Sequence, residues 1–140
     1  MKKYIGVKVI EAKPMNLVDA EEYLQRKIKP GNEEGYLVKY SDGYESWSPK
    51  AQFEEAYRQT DSMTFGLAVE AMKKGQRVTR RGWNGKDMWL RLVIPGGDNK
   101  KFDMGMENLP YIEMKTADNK LVPWLASQTD VLAEDWQLVG

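Results

Sequence analysis

The chain has neither cysteine nor histidine among its 140 residues. Without cysteine there is no disulfide framework and no thiolate nucleophile. Without histidine the commonest general base near neutral pH and the commonest metal ligand are missing. Ser-His-Asp and Cys-His nucleophilic sites are thereby excluded, and a zinc site would have to be built from carboxylates alone. Neither a metal nor a cofactor is expected, and no catalytic residue is assigned. Net charge is lacking too: 21 basic and 21 acidic side chains cancel. Proteins that bind long nucleic acids are normally basic, so any anion taken up here is expected to be small and locally held. No apolar run approaches the roughly 20 residues needed to span a bilayer, and mean hydropathy is −0.65. The opening "MKKYIGVKVIEAKP" has two lysines but no continuous apolar stretch, so it does not read as a signal peptide, and no membrane partner is expected.

What is present is a 41% hydrophobic content, enough for one domain or two very small ones. Ile5, Val7 and Val9 alternate with Tyr4, Gly6 and Lys8, which predicts a strand. Asn16 is placed to cap a helix with Leu17, Ala20, Leu24 and Ile28 on its apolar face. "YLVKYSDGYESW" predicts a hairpin turning at Asp42-Gly43. Ser48-Pro49 predicts a helix start, with serine as N-cap and proline at the first helical position. The polar "RQTDSM", residues 58–63, marks a boundary between an N-terminal module, residues 1–60, and a second module, residues 61–140. A helix is predicted from Thr64, with Phe65, Ala68, Val69 and Met72 inward and Gly75 at its end. Strands follow at "QRVTR" and "DMWLRLVI". Residues 95–110 read as a long, mobile, glycine- and charge-rich loop. A hairpin turning at Asp118-Asn119 and a last strand at "EDWQLV" close the chain. With three helices and about seven strands the class is α+β: an antiparallel sheet with helices packed on one face, plus a small N-terminal α+β module.

The chemistry concentrates in "RRGWNGKDMWLRL" and "VPWLASQTDVLAEDW". Alternation in the first sets Met88, Leu90, Leu92 and Ile94 on one strand face, as a floor for the helix from Phe65, and Trp89 and Arg91 on the other. Trp83 and Asn84 sit between glycines, where another molecule can approach closely. Trp47 and Trp136 are read as packing residues. Ser127, Gln128, Thr129 and Asp130 offer hydroxyls, an amide and a carboxylate able to grip ribose hydroxyls or a base edge. They read equally as the cap of a short turn, with Thr129 or Asp130 at the N-cap. Arg77, Arg80, Arg81, Lys86 and Arg91 form a cationic cluster in a neutral protein. Indoles stack on bases and guanidinium groups grip phosphates, so the combination points to a small phosphorylated ligand. Glu134 and Asp135 are adjacent and read as structural or solvated rather than as a glycosidase pair.

"MTFGLAVEAMKKGQRVTRRGWNGKDMWLRL" and "YIEMKTADNKLVPWLASQTDVLAEDWQLV" together resemble the second family of phage Thoeris anti-defence proteins. That resemblance implies a signal sponge. Such a protein sequesters the glycocyclic ADP-ribose messenger made by bacterial TIR-domain proteins, in the cytoplasm of the infected host, without degrading it. It implies a homo-oligomer, typically a tetramer, with nucleotide pockets between protomers; some members also take cyclic dinucleotides of CBASS defence at separate sites. Carried over by motif, Phe65, Trp83, Asn84 and Trp89 belong to the first signature and Trp124, Ser127, Thr129 and Asp130 to the second. Arg81 is added on electrostatic grounds. The competing reading is a phage structural or protein-interaction module whose exposed indoles act as hot spots.

Overall fold

In the computed structural model, residues 1–95 and 105–140 are described. The chain divides into two compact units, Met1–Arg58 and Gln59–Gly140. The class is α+β, with antiparallel sheets of three and five strands. The described residues hold four helices and eight strands, one helix and one strand more than the sequence reading counted. The expected loop at residues 95–110 lies largely outside the described residues.

The first unit contains β1 (Glu11–Pro14), α1 (Leu17–Leu24), β2 (Gly35–Lys39), β3 (Glu45–Pro49) and α2 (Lys50–Ala56). Its strands run in the order β1-β2-β3. Asn16 caps α1 by accepting from the Asp19 backbone N–H at 2.9 Å. The helix is shorter than its apolar periodicity predicts: Gln25 adopts a left-handed conformation and ends it, leaving Ile28 outside. Leu17, Ala20 and Trp47 form a small buried cluster between α1 and β3. The Trp47 indole N–H donates to the Met15 carbonyl at 2.8 Å, so its one polar group is satisfied. On the other face Phe53 of α2 stacks between Tyr36 and Tyr57, with centroids 4.1 and 5.1 Å apart. Neighbouring strand residues Leu37 and Val38 are therefore both buried.

Two expectations fail in this unit. Ser48 does not cap α2; Pro49 holds the N-cap position, with no side-chain cap. A hydroxyl one residue too early cannot reach the free N–H groups of the first turn. The alternating segment Ile5–Val9 forms no strand, and Tyr4, Ile5, Val7 and Val9 are all exposed. Pairing starts only at Glu11, opposite Lys39, where β2 ends. Alternation confers the capacity to pair, but a strand needs a neighbour.

The second unit contains α3 (Phe65–Lys73), β4 (Val78–Arg80), β5 (Trp89–Val93), β6 (Tyr111–Lys115), β7 (Leu121–Pro123), α4 (Gln128–Leu132) and β8 (Trp136–Leu138). Helix α3 starts where the sequence predicts, and Thr64 caps it by accepting from the Leu67 backbone N–H. The sheet order is β7-β6-β5-β4-β8. The last strand closes back beside β4, with Val78 opposite Leu138 and Arg80 opposite Trp136. The core lies between α3 and one sheet face and holds Met63, Ala68, Ala71, Met72, Val78, Leu90 and Trp136. Met63 fastens the start of the unit to β8 by exchanging backbone hydrogen bonds with Trp136 at 2.8 and 3.1 Å. The apolar floor predicted on β5 is shorter than expected. Leu90 is fully buried and Leu92 packs against the core, but Ile94 is exposed past the strand end.

The alternation of β5 yields a direct check. Leu90→Ala should cost about 2–5 kcal/mol, because it opens a cavity in the core. Trp89→Ala, on the opposite face, should cost clearly less. Denaturant unfolding of the two variants measures this, and equal losses would contradict the assignment of faces.

Candidate nucleotide site

Two loops meet at the end of the second unit, residues 81–88 after β4 and residues 124–127 before α4. Each delivers an indole beside Trp136, the most deeply buried aromatic of the unit. Trp83 stands edge-on to Trp136 at 5.4 Å between centroids, and Trp124 does so at 6.1 Å. Trp83 and Trp124 lie 6.3 Å apart. Phe65, the first residue of α3, completes the group at 5.4 Å from Trp136 and 6.0 Å from Trp124. Phe65, Trp83 and Trp124 are all half-buried, so the aromatic core reaches the surface here.

A polar network locks the loops together. Register places Arg80 on the same sheet face as Val78 and Trp136, so its guanidinium points inward rather than to solvent. There its Nη1 donates to Asp130 Oδ1 and its Nε to Asp135 Oδ1, both at 2.9 Å. The Trp83 indole N–H donates to the same Asp130 Oδ1 at 3.0 Å. Asp130 Oδ2 accepts from the Ser127 hydroxyl at 2.9 Å, while the Asp130 backbone N–H donates to that hydroxyl at 3.1 Å. This is a capping box with Ser127 as N-cap of α4. The sequence reading had put Thr129 or Asp130 at that cap. Serine takes the role because its short hydroxyl reaches the N–H three residues on, and the aspartate reciprocates. The Trp136 indole N–H donates to the Asp130 carbonyl at 3.0 Å. Asp135 Oδ2 accepts from the Gly82 backbone N–H at 2.7 Å. A Cβ at residue 82 would stand 2.8 Å from that oxygen, so any larger residue would have to displace the carboxylate.

The charges in this network stabilise one another. Burial pushes the Asp130 carboxyl up, but hydrogen bonds from Trp83, Arg80 and Ser127 together outweigh it and hold the group below its ordinary value. The Arg80 hydrogen bond likewise lowers Asp135, against a smaller effect of burial. Arg80 is correspondingly raised, chiefly by its bond to Asp135.

The predicted site residues thus fall into three groups. Phe65, Trp83, Trp124 and Asp130 come together with Ser127 at the aromatic cluster. Arg81 and Asn84 are exposed on the first loop and Thr129 on the first turn of α4, with Ser127 and Gln128 beside it. Trp89 lies apart, on the sheet face turned away from the core. It is flanked by Arg77 at 5.1 Å and Arg91 at 5.8 Å from its ring centroid. Arg91 is also paired with Glu113 across the sheet at 2.7 Å, and the Tyr111 hydroxyl donates to the same carboxylate at 3.3 Å. The cationic cluster read from sequence is therefore dispersed. Arg80 faces the core and is spent on two carboxylates, Arg81 reaches solvent, and Arg77 and Arg91 flank Trp89 on the far face. Sequence reasoning read Trp136 as packing, as found, but missed the part played by Arg80 and Asp135. A signal was available in the alternation of "RVTR", which turns Arg80 to the side of Val78 and requires an inward carboxylate partner. Among the described residues no group of three or more carboxylates could hold a metal ion.

The profile of the Thoeris anti-defense 2-like domain matches residues 63–139. The chain belongs to this family. Thoeris anti-defense 2 of Bacillus phage SP01 is 46% identical over 87 residues, which cover 96% of that relative and 56% of this chain. A phage anti-defence role follows from this membership. The matched span includes the whole aromatic cluster, its polar network and Trp89. The first unit of the chain lies outside the Thoeris anti-defense 2-like match. No helix among the described residues is long and apolar enough to cross a membrane.

The network makes a stability prediction. Asp130→Ala leaves Arg80 Nη1 and the Trp83 indole N–H without their acceptor, and should cost about 3 kcal/mol. Asp130→Asn, which keeps an acceptor oxygen, should cost less. Both aspartates are depressed on folding, so their contribution is complete above the ordinary carboxylate pKa of about 4 and is lost as pH falls through their lower folded values. Urea unfolding of the wild type should show little change from this source between neutrality and about pH 5 and a loss below about pH 4, smaller in Asp130→Asn. An unchanged acid slope in that variant would contradict the assignment.

Proposed function

We propose that this chain captures glycocyclic ADP-ribose, the messenger made by TIR-domain proteins, and holds it intact in the cytoplasm of the infected bacterial host. The Thoeris effector is then never activated. The observation that carries the reading is the aromatic surface of Phe65, Trp83 and Trp124, bordered by the exposed polar groups of Asn84, Ser127 and Thr129. Stacking on an aromatic ring is worth about 1–3 kcal/mol per base. Arg81 supplies a solvent-facing cation for phosphate. Asp130 serves as a positioning residue: its oxygens already accept from Arg80, Trp83 and Ser127, so it sets the loops rather than gripping the ligand.

Capture without cleavage fits the chemistry of the site. Its carboxylates are held ionised, Asp130 by hydrogen bonds from Trp83, Arg80 and Ser127 and Asp135 by Arg80, which makes them poor general acids near neutrality. Trp89, with Arg77 and Arg91, lies on the other face of the same sheet, so a single protomer does not bring it to the loops. A pocket between protomers resolves this, with Trp89 from one copy and the aromatic cluster from another. The working unit is accordingly a homo-oligomer, with a tetramer as the expected assembly. Cyclic dinucleotides of CBASS are a further ligand class for the same protein. Leu125 and Leu132 are 92% and 74% exposed beside the cluster, which favours a protein contact there. In this reading they are covered by another protomer; in the competing one, by a phage or host protein.

Protein mixed with glycocyclic ADP-ribose should remove it from solution and release it unchanged on heating, as followed by mass spectrometry. Recovery of a hydrolysed product would show an enzyme instead. Thr129→Ala and Trp89→Ala should each weaken capture by about tenfold, equivalent to roughly 1.4 kcal/mol. If the pocket is shared, mixing the two variants restores part of the binding, because some pockets receive both intact halves. Full binding by each variant alone would remove both residues from the site.

A further inference from the structure

The segment from Met1 to Ile10 has the sequence of a strand and no strand to join. Tyr4 and Ile5 are 90% and 93% exposed, and Val7 and Val9 are exposed beside them. Lys8 lies over the Tyr40 ring at 5.3 Å, so the chain continues along the line of β1 as far as the hairpin. There β2 ends at Lys39 and the Asp42-Gly43 turn follows, and among the described residues no strand pairs with the segment before Glu11. β1 is itself an edge strand whose outer side is unpaired in the sheet order. Exposed edges with alternating apolar residues are templates for pairing with another chain.

We infer that residues 2–12 pair antiparallel with the same residues of a second copy, about a two-fold axis at Val7, joining two three-stranded sheets into one. The sequence selects this register. With Val7 opposite Val7, Ile5 faces Val9 and the odd-numbered side becomes a continuous apolar surface. Lys3 then stands opposite Glu11, a complementary pair at each end. On the other side Lys8 meets Gly6, Tyr4 meets Ile10 and Lys2 meets Ala12. Pro14, which has no N–H to donate, falls just beyond the paired span. The neighbouring same-face registers do worse. Centring on Lys8 sets Lys8 against Lys8 and Lys3 against Lys13; centring on Gly6 sets Lys3 against Val9 and Lys2 against Ile10; centring on Ile5 sets Lys2 against Lys8. Odd shifts turn the apolar side of one strand against the other's polar side. Directly opposed like charges destabilise a sheet and opposite charges support it. The pairing uses the first unit only and does not depend on messenger capture by the second.

The absence of cysteine permits a clean test on the full chain. Directly opposed Cα atoms in an antiparallel pair are about 4.5–5.5 Å apart, within disulfide reach. Val7→Cys should therefore oxidise to a covalent dimer, whereas Val18→Cys, exposed on α1, reports chance encounters. The Val7→Cys dimer should form at least about tenfold faster, since held pairs react at an effective concentration fixed by geometry. Adding Lys3→Glu to Val7→Cys should slow crosslinking severalfold, and adding Glu11→Lys as well should restore it. Crosslinking no faster than in Val18→Cys would overturn the pairing, and failure of the charge reversal to restore it would overturn the register. Circular dichroism of each variant checks that the fold is kept. A chain that crosslinks at Val7 but leaves glycocyclic ADP-ribose in solution would sink the sponge reading and leave this one standing.

Discussion

Arg80 is the constraint on which the candidate site depends. A guanidinium turned toward an apolar core is costly unless its donors are met by carboxylates and hydrogen bonds. Asp130 and Asp135 meet it, and they come from either end of α4, some fifty residues further along the chain. Closing that distance sets where everything else goes. Asp130 fixes the Trp83 indole through its N–H, and its capping box fixes the start of α4. Asp135 draws in the backbone at Gly82 and turns the loop that carries Trp83 and Asn84. The Asp130 carboxylate thus accepts from three side chains of its own unit, Arg80, Trp83 and Ser127.

The same economy separates the roles of the five tryptophans. Trp47 and Trp136 fill cores, and each meets its N–H requirement with a backbone carbonyl. Trp83 and Trp124 pack against Trp136 and still reach the surface, so they are rigid at their base and open at their edge. Trp89 occupies the opposite side of the sheet, held between two guanidinium groups. One face of the sheet is thus packed against α3, while the other carries Trp89 with Arg77 and Arg91.

The first unit is built by different means. It covers both faces of its three-stranded sheet with helices, α1 through Leu17, Ala20 and Trp47, α2 through Phe53. The faces are closed, and the exposed backbone of the sheet lies at its edges. An unpaired, alternating, lysine-bearing segment leads into one of those edges. The anti-defence family match begins after this unit, at residue 63, so what the unit contributes has to be sought in its own surfaces.

Much of this was legible in the chain itself, wherever the determinant is local. The hairpin turn at Asp42-Gly43, the cap at Asn16, the helix start at Thr64 and the period-two face of β5 depend on neighbours within a few residues. The family resemblance was also written in contiguous signatures. What tertiary structure decided is which distant groups complete one another. It spent Arg80 and Asp130 on each other, gave the cap of α4 to Ser127, packed Trp83 and Trp124 against Trp136 and left Ile5–Val9 without a strand partner. The physical reason is common to all four. An ion pair, a reciprocal cap, a packed face and a strand each need a second partner, and a sequence states what a residue can do but not what stands opposite it.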